Sequence, residues 1–182
     1  MRWLLLLFLS LPAHADVAGS KELTKLINSF VRESHGKVKH ADVADSKYVF
    51  KYIEDGPDKD TRYIGYCIAT LKSAPYRIEI DWKFWQNATP VAKWGLVFHE
   101  LGHCACGREH TVEKGEEWLT DLLESVSVRV AHAHHLPDGC PDSLMNWRLP
   151  TDRCLVVHRD EYLGELFTGC KRPIRLAFLG GM

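Results

Sequence analysis

Four residues of this 182-residue chain have the types and spacing to do chemistry together: His99, Glu100, His103 and His110. His99-Glu100-Leu101-Gly102-His103 is an HExxH pattern. On a helix, residues four apart share a face, so both imidazoles point the same way. Two imidazoles on one face can fill two corners of a zinc tetrahedron, and Glu100 can reach a water at an open corner. A catalytic zinc takes a third protein ligand and leaves its fourth position open. His110 is the first choice for that ligand, because Gly107 can turn the chain sharply and bring His110 back. The set predicts a Zn2+-dependent hydrolase with Glu100 as general base and then general acid.

Other residues compete for the same roles. Glu117, Asp121 and Glu124 fall on a later helical stretch, and Glu124 could replace His110 as a carboxylate ligand. His132, His134 and His135 could bind metal or stabilise an oxyanion. They also suit a solvated helix end, where a cation is favourable. Cys104 and Cys106 could be thiolate ligands or halves of disulfides.

The pattern sits in a well-marked helix. Thr89-Pro90 supplies a cap and then proline at the first helical position. Val91, Trp94, Leu96, Val97, Phe98 and Leu101 make the helix apolar on most sides, as expected of a central one. It should run to about Cys106 and stop at Gly107.

Upstream, Leu23, Leu26, Ile27, Phe30 and Val31 predict an amphipathic helix over 20–34, capped by Ser20 and ended by Gly36. Residues 47–53 and 62–71 are aromatic and β-branched and predict two strands. Residues 76–82 alternate apolar and polar. That alternation fits a sheet with one wet face, or a cleft-edge strand able to pair with an extended peptide. Downstream, 115–135 reads as a helix whose second half alternates like a strand. Pro137-Asp138-Gly139 stops it, a loop follows, and His158 to about Phe167 predicts a last short helix.

Composition narrows the setting. A formal net charge of −1 argues against a nucleic-acid surface or a polybasic membrane patch. Arg2, the apolar run Trp3 to Leu11 and Ala13-His14-Ala15 read as a signal peptide over 1–15, with the mature domain at 16–182. A secreted or periplasmic protein with no stable membrane insertion is expected. The six cysteines, an even number, then favour disulfides, with about 15 pairings open. Cys140 and Cys154 bracket a short loop and make the first expected pair.

The stretch His99-Glu100-x-x-His103-x-x-x-Gly107-x-x-His110 resembles the zincin metallopeptidases and, more closely, the metzincin-like group. That group has HExxHxxGxxH, one residue shorter between the second histidine and the glycine. Together with Ser143-Leu144-Met145-Asn146, the stretch resembles a set of small uncharacterised bacterial metallopeptidases. The resemblance implies a methionine turn in which Met145 is an apolar floor beneath the ligands. It implies an α+β, zincin-like single domain: a small twisted mixed sheet on a central HExxH helix, then the Met-turn-like segment and a helix. The substrate would be protein or peptide, bound by a monomer in a cleft between the sheet edge and the Met145 segment. Some metzincins place a tyrosine two residues after the methionine as an oxyanion donor. Trp147 stands there, so Arg148, Tyr162 or a histidine of 132–135 would have to serve. Two other classes compete. One is a disulfide-stapled binding or inhibitory module with structural zinc; the other is a zinc amidase acting on cell-wall peptide.

Overall fold

The structure, a computed structural model, describes residues 17–44, 46–53, 63–68, 76–113, 131–146 and 148–170. Helix α1 (Val17–Glu33) carries its apolar stripe inward, with Leu23 and Phe30 buried and Leu26, Ile27 and Val31 packed beside them. Ser20 lies inside this helix and does not cap it, because the helical turns extend back to Val17. Gly36, at φ 83°, takes the chain away from the helix end. A short helix α2 (His40–Ala44) follows.

Three strands form a mixed sheet in the order β1-β3-β2: β1 (Lys47–Lys51), β2 (Gly65–Ile68) and β3 (Arg77–Asp81). β3 is parallel to β1 and antiparallel to β2. It is therefore the central strand, not a cleft edge. Nor does it keep a wet face: Ile78, Glu79, Ile80 and Asp81 are all buried. Glu79 tolerates burial because the Lys51 ammonium and, at 2.7 Å, the Arg77 guanidinium pair with it. Strand character stops at Asp81, whose carboxylate accepts from the Lys83 N–H at 2.7 Å and caps helix α3 (Trp82–Asn87).

Helix α4 (Pro90–Cys106) crosses the middle of the molecule. Phe30 joins three helices there. Its ring lies 5.1 Å from Phe98 of α4 and 5.1 Å from Phe167 near the C-terminal end. A fully buried aromatic of this kind contributes about 1.5–3 kcal/mol relative to an exposed one. After α4, β4 (Thr111–Glu113) pairs in parallel with β5 (Ala131–Ala133). The helix expected over 115–135 thus ends in a strand at its described part; residues 114–130 lie outside the described residues. Two helices close the fold, α5 (Asp152–Val157) and α6 (Arg159–Thr168). α6 matches the expected last helix, whereas α5 adds a turn where a loop was expected.

Three disulfides staple these parts: Cys67–Cys104, Cys106–Cys170 and Cys140–Cys154. The last is the pair expected from the short loop. The first two remove Cys104 and Cys106 as thiolate ligands. The fold is a small α+β arrangement of a three-stranded mixed sheet and several helices. Among the described residues no helix is long and apolar enough to cross a membrane.

Candidate metal centre

Local signals fix α4 at both ends. Thr89 Oγ1 accepts from the Ala92 N–H at 3.0 Å and donates to Asp152 at 2.6 Å. Pro90 fills the first helical position. At the other end Gly107 adopts φ 62°, ψ 31°, a left-handed conformation in which glycine pays no Cβ penalty. Its N–H donates to the His103 carbonyl at 3.1 Å, and the Arg108 N–H donates to the Gly102 carbonyl at 3.0 Å. This reversal carries the chain back along the helix and delivers His110 to the side where His99 and His103 stand.

The three imidazoles meet. His99 Nε2 lies 3.1 Å from His110 Nε2 and 3.1 Å from His103 Nε2, and the third edge of the triangle is 3.0 Å. Two rings are tied from behind. His99 Nδ1 donates to the Leu144 carbonyl at 2.8 Å, and His103 Nδ1 donates to the Arg108 carbonyl at 2.7 Å. A carbonyl only accepts, so the proton sits on Nδ1 and the Nε2 lone pair faces inward. Burial holds the rings neutral. It drives His99 well below its ordinary value, helped by the charges His103 and His110 would carry. It also lowers His103, and takes His110 down to about 3.

Inward lone pairs this close repel one another unless a cation lies among them. Tetrahedral zinc, at about 2.0–2.1 Å from each nitrogen, spaces its ligands about 3.3–3.4 Å apart. The observed triangle is slightly tighter than that, and the donor set fits the ion. The only other described group that could gather three ligand atoms is Asp138, Cys140 and His158, but Cys140 is in a disulfide.

Glu100 lies on the same helix with 4% of its surface exposed. The Cys67 N–H of β2 donates to its carboxylate, while burial, the larger effect, pushes its pKa up to about 8. β2 approaches closely at Gly65, where a Cβ would stand 2.7 Å from Glu100 Oε1. Met145 packs on a different part of the helix. It is fully buried, and a Cβ on Gly102 would lie 2.6 Å from its Sδ. Its carbonyl accepts from the Thr111 N–H, next to His110, at 2.8 Å. The 99–103 turn of α4 is thus contacted by β2 at Glu100 and by the Leu144-Met145 segment at His99 and Gly102.

Of the expected site residues, His99, His103 and His110 come together, and Glu100 is buried on the same helix next to His99 in sequence. Tyr162 does not join them: it is fully buried and its hydroxyl donates to the Pro141 carbonyl at 2.8 Å, so it is not a free oxyanion donor. His134 and His135 are exposed beside the paired Pro141-Asp142 segment and do not join the cluster. Glu117, Asp121, Glu124 and Trp147 lie outside the described residues. Sequence reasoning missed Cys67 and Gly65 as partners of Glu100. A glycine and a cysteine inside a strand pattern were the available signal, since glycine there marks close backbone approach.

A family model described as "Putative phage metallopeptidase" matches residues 13–124, more than half of the chain and the whole of α4 with His110. The chain belongs to this metallopeptidase family. Searches of curated proteins and of solved structures return no match.

Proposed function

We propose that the chain is a zinc-dependent peptidase of the zincin type, with His99, His103 and His110 as ligands and Glu100 as the catalytic acid–base. The carrying observation is the triangle of Nε2 atoms at 3.0–3.1 Å, two of them on a helix that also carries the buried Glu100 carboxylate. Membership of a metallopeptidase family supports the reaction class. No fourth Cys, His, Asp or Glu joins the triad among the described residues, which favours a catalytic site over a closed structural one.

A zinc ion held by His99, His103 and His110 would acidify a water and polarise the scissile carbonyl. The remaining work falls to the chain. Glu100 removes the water's proton as it attacks the carbonyl carbon, and returns the proton to the leaving amine. The Cys67 N–H anchors the carboxylate in β2, so that its orientation is fixed before substrate arrives. The Leu144 and Arg108 carbonyls fix the His99 and His103 rings and raise their basicity toward the ion. Met145 supplies an apolar floor of the methionine-turn kind. β2, the outer strand of the described sheet, offers main-chain groups to an extended peptide beside Glu100.

Three disulfides support a secreted or periplasmic location, the one that reading residues 1–15 as a signal peptide would also give. The test is hydrolysis of an unfolded protein, with zinc content measured in parallel. Activity lost on chelation and restored by zinc, with the fold retained, is expected. Unfolding on chelation without any hydrolysis beforehand would point to a structural ion instead.

A further inference from the structure

One carboxylate outside the ligand set is connected to both ring-orienting carbonyls. Glu165, on α6, receives the Arg108 guanidinium on Oε1 and the Ser143 hydroxyl on Oε2, the latter at 3.1 Å. Arg108 is the residue whose carbonyl orients His103. Its guanidinium also donates to the Glu165 carbonyl at 2.8 Å, at the C-terminal end of α6 where a cation is favoured. Gly169 leaves room for it: a Cβ there would fall 1.9 Å from the guanidinium nitrogen. On the other arm, Ser143 Oγ accepts from the Met145 N–H at 3.0 Å, and the residue between them, Leu144, orients His99. The Met145 carbonyl then reaches Thr111, next to His110.

We propose that Glu165 is a positioning residue that holds the Arg108 and Leu144 carbonyls in place and so sets the metal affinity of the histidine triad. The proposal rests on the metal reading above. Each arm is short: Arg108 itself carries the carbonyl that orients His103, and Ser143 adjoins Leu144, which orients His99. Both arms end on a single side chain, which makes their positions interdependent. An ordinary half-exposed ion pair would contribute only stability, and little of it. Losing a direct hydrogen-bond partner of a metal ligand typically costs about 10–100-fold in metal affinity, and Glu165 acts one interaction further out, on the residues that supply those partners. The Cys106–Cys170 disulfide joins α4 to the segment after α6 independently, so truncating Glu165 leaves these parts attached.

The experiment uses the full chain, stripped of metal, with zinc affinity measured by competition against a chelator. Wild type, Glu165→Gln, Glu165→Ala and, as a control on the same helix, Glu161→Ala are compared. Affinity should fall in the order wild type, Glu165→Gln, Glu165→Ala, with Glu165→Ala roughly 10-fold weaker, the low end of the effect of a direct partner, and Glu161→Ala unchanged. The cobalt-substituted Glu165→Ala protein should show altered visible bands, which a merely structural ion pair would not cause. Wild-type affinity in either Glu165 variant overturns the proposal. A wild-type chain that binds no zinc overturns the underlying metal reading instead, so the two failures are told apart.

Discussion

Cys67 donates its main-chain N–H to the Glu100 carboxylate while its sulfur is bonded to Cys104, one helical turn further along α4. One strand residue therefore grips the same helix twice, once covalently and once at its buried acid. With Glu100 as the proposed acid–base, the disulfide would matter for chemistry as well as for stability.

Replacing Cys67 and Cys104 by alanine should cost about 2–4 kcal/mol, and so should replacing Cys140 and Cys154. Their effects on turnover should differ. The first pair frees β2 from Glu100 and should lower kcat by roughly 10-fold or more, part of the about 10²–10⁴ a positioned acid–base contributes. The second pair joins Cys140 to α5 and does not hold β2, so its loss should leave kcat nearly unchanged at a temperature where both variants are folded. Equal activity in the two would contradict the role given to Cys67.

Three glycines separate crowding from backbone effects. A Cβ at Gly102 would meet Met145 Sδ at 2.6 Å and Leu166 Cδ1 at 2.8 Å. Gly102→Ala should therefore destabilise by about 1–3 kcal/mol through overpacking. A Cβ at Gly65 would meet Glu100 Oε1 at 2.7 Å and Leu96 Cδ1 at 2.9 Å, so Gly65→Ala should lower kcat while zinc still binds. Gly164 in α6 has nothing within 4 Å of that position. Gly164→Ala should stabilise by about 0.5–1 kcal/mol through better helix propensity. Denaturant midpoints and turnover check all three.

A pH signature should come from the His158–Asp138 pair, which is not part of the histidine triad. His158 Nε2 lies 3.0 Å from Asp138, and hydrogen bonding to Asp138 and then Glu161 raises its pKa. The same bond is the main cause lowering that of Asp138. The raised histidine stabilises the fold at low pH and loses that contribution as pH rises through its folded value. The depressed carboxylate stabilises above its unfolded value and loses that contribution as pH falls. The pair therefore helps most in the mildly acidic window between them. Asp138→Asn should lower Tm more at about pH 5.5 than at about pH 9. A deficit independent of pH would contradict the charge pairing.

What could be read from the sequence was local. Thr89, Pro90 and Gly107 mark α4 through caps and a left-handed turn, each set by a few neighbouring residues. His110 follows because the turn is short. The Cys140–Cys154 pair was legible for the same reason. Strand order was not. Residues 77–81 alternate as an edge strand would, yet β1 and β2 pair on either side of them, with Lys51 and Arg77 neutralising the buried Glu79. Nothing in the pattern of one strand states which neighbours it will find. The link from Arg108 to Glu165 spans 57 residues and rests on α6 packing beneath the turn, so spacing alone could not suggest it.

The most direct measurement concerns Glu100. Glu100→Gln keeps the size and the acceptor for the Cys67 N–H but removes the base. This variant should bind one zinc per chain as the wild type does and should no longer hydrolyse an unfolded protein. A Glu100→Gln protein that retains zinc and full activity would contradict the acid–base role of Glu100.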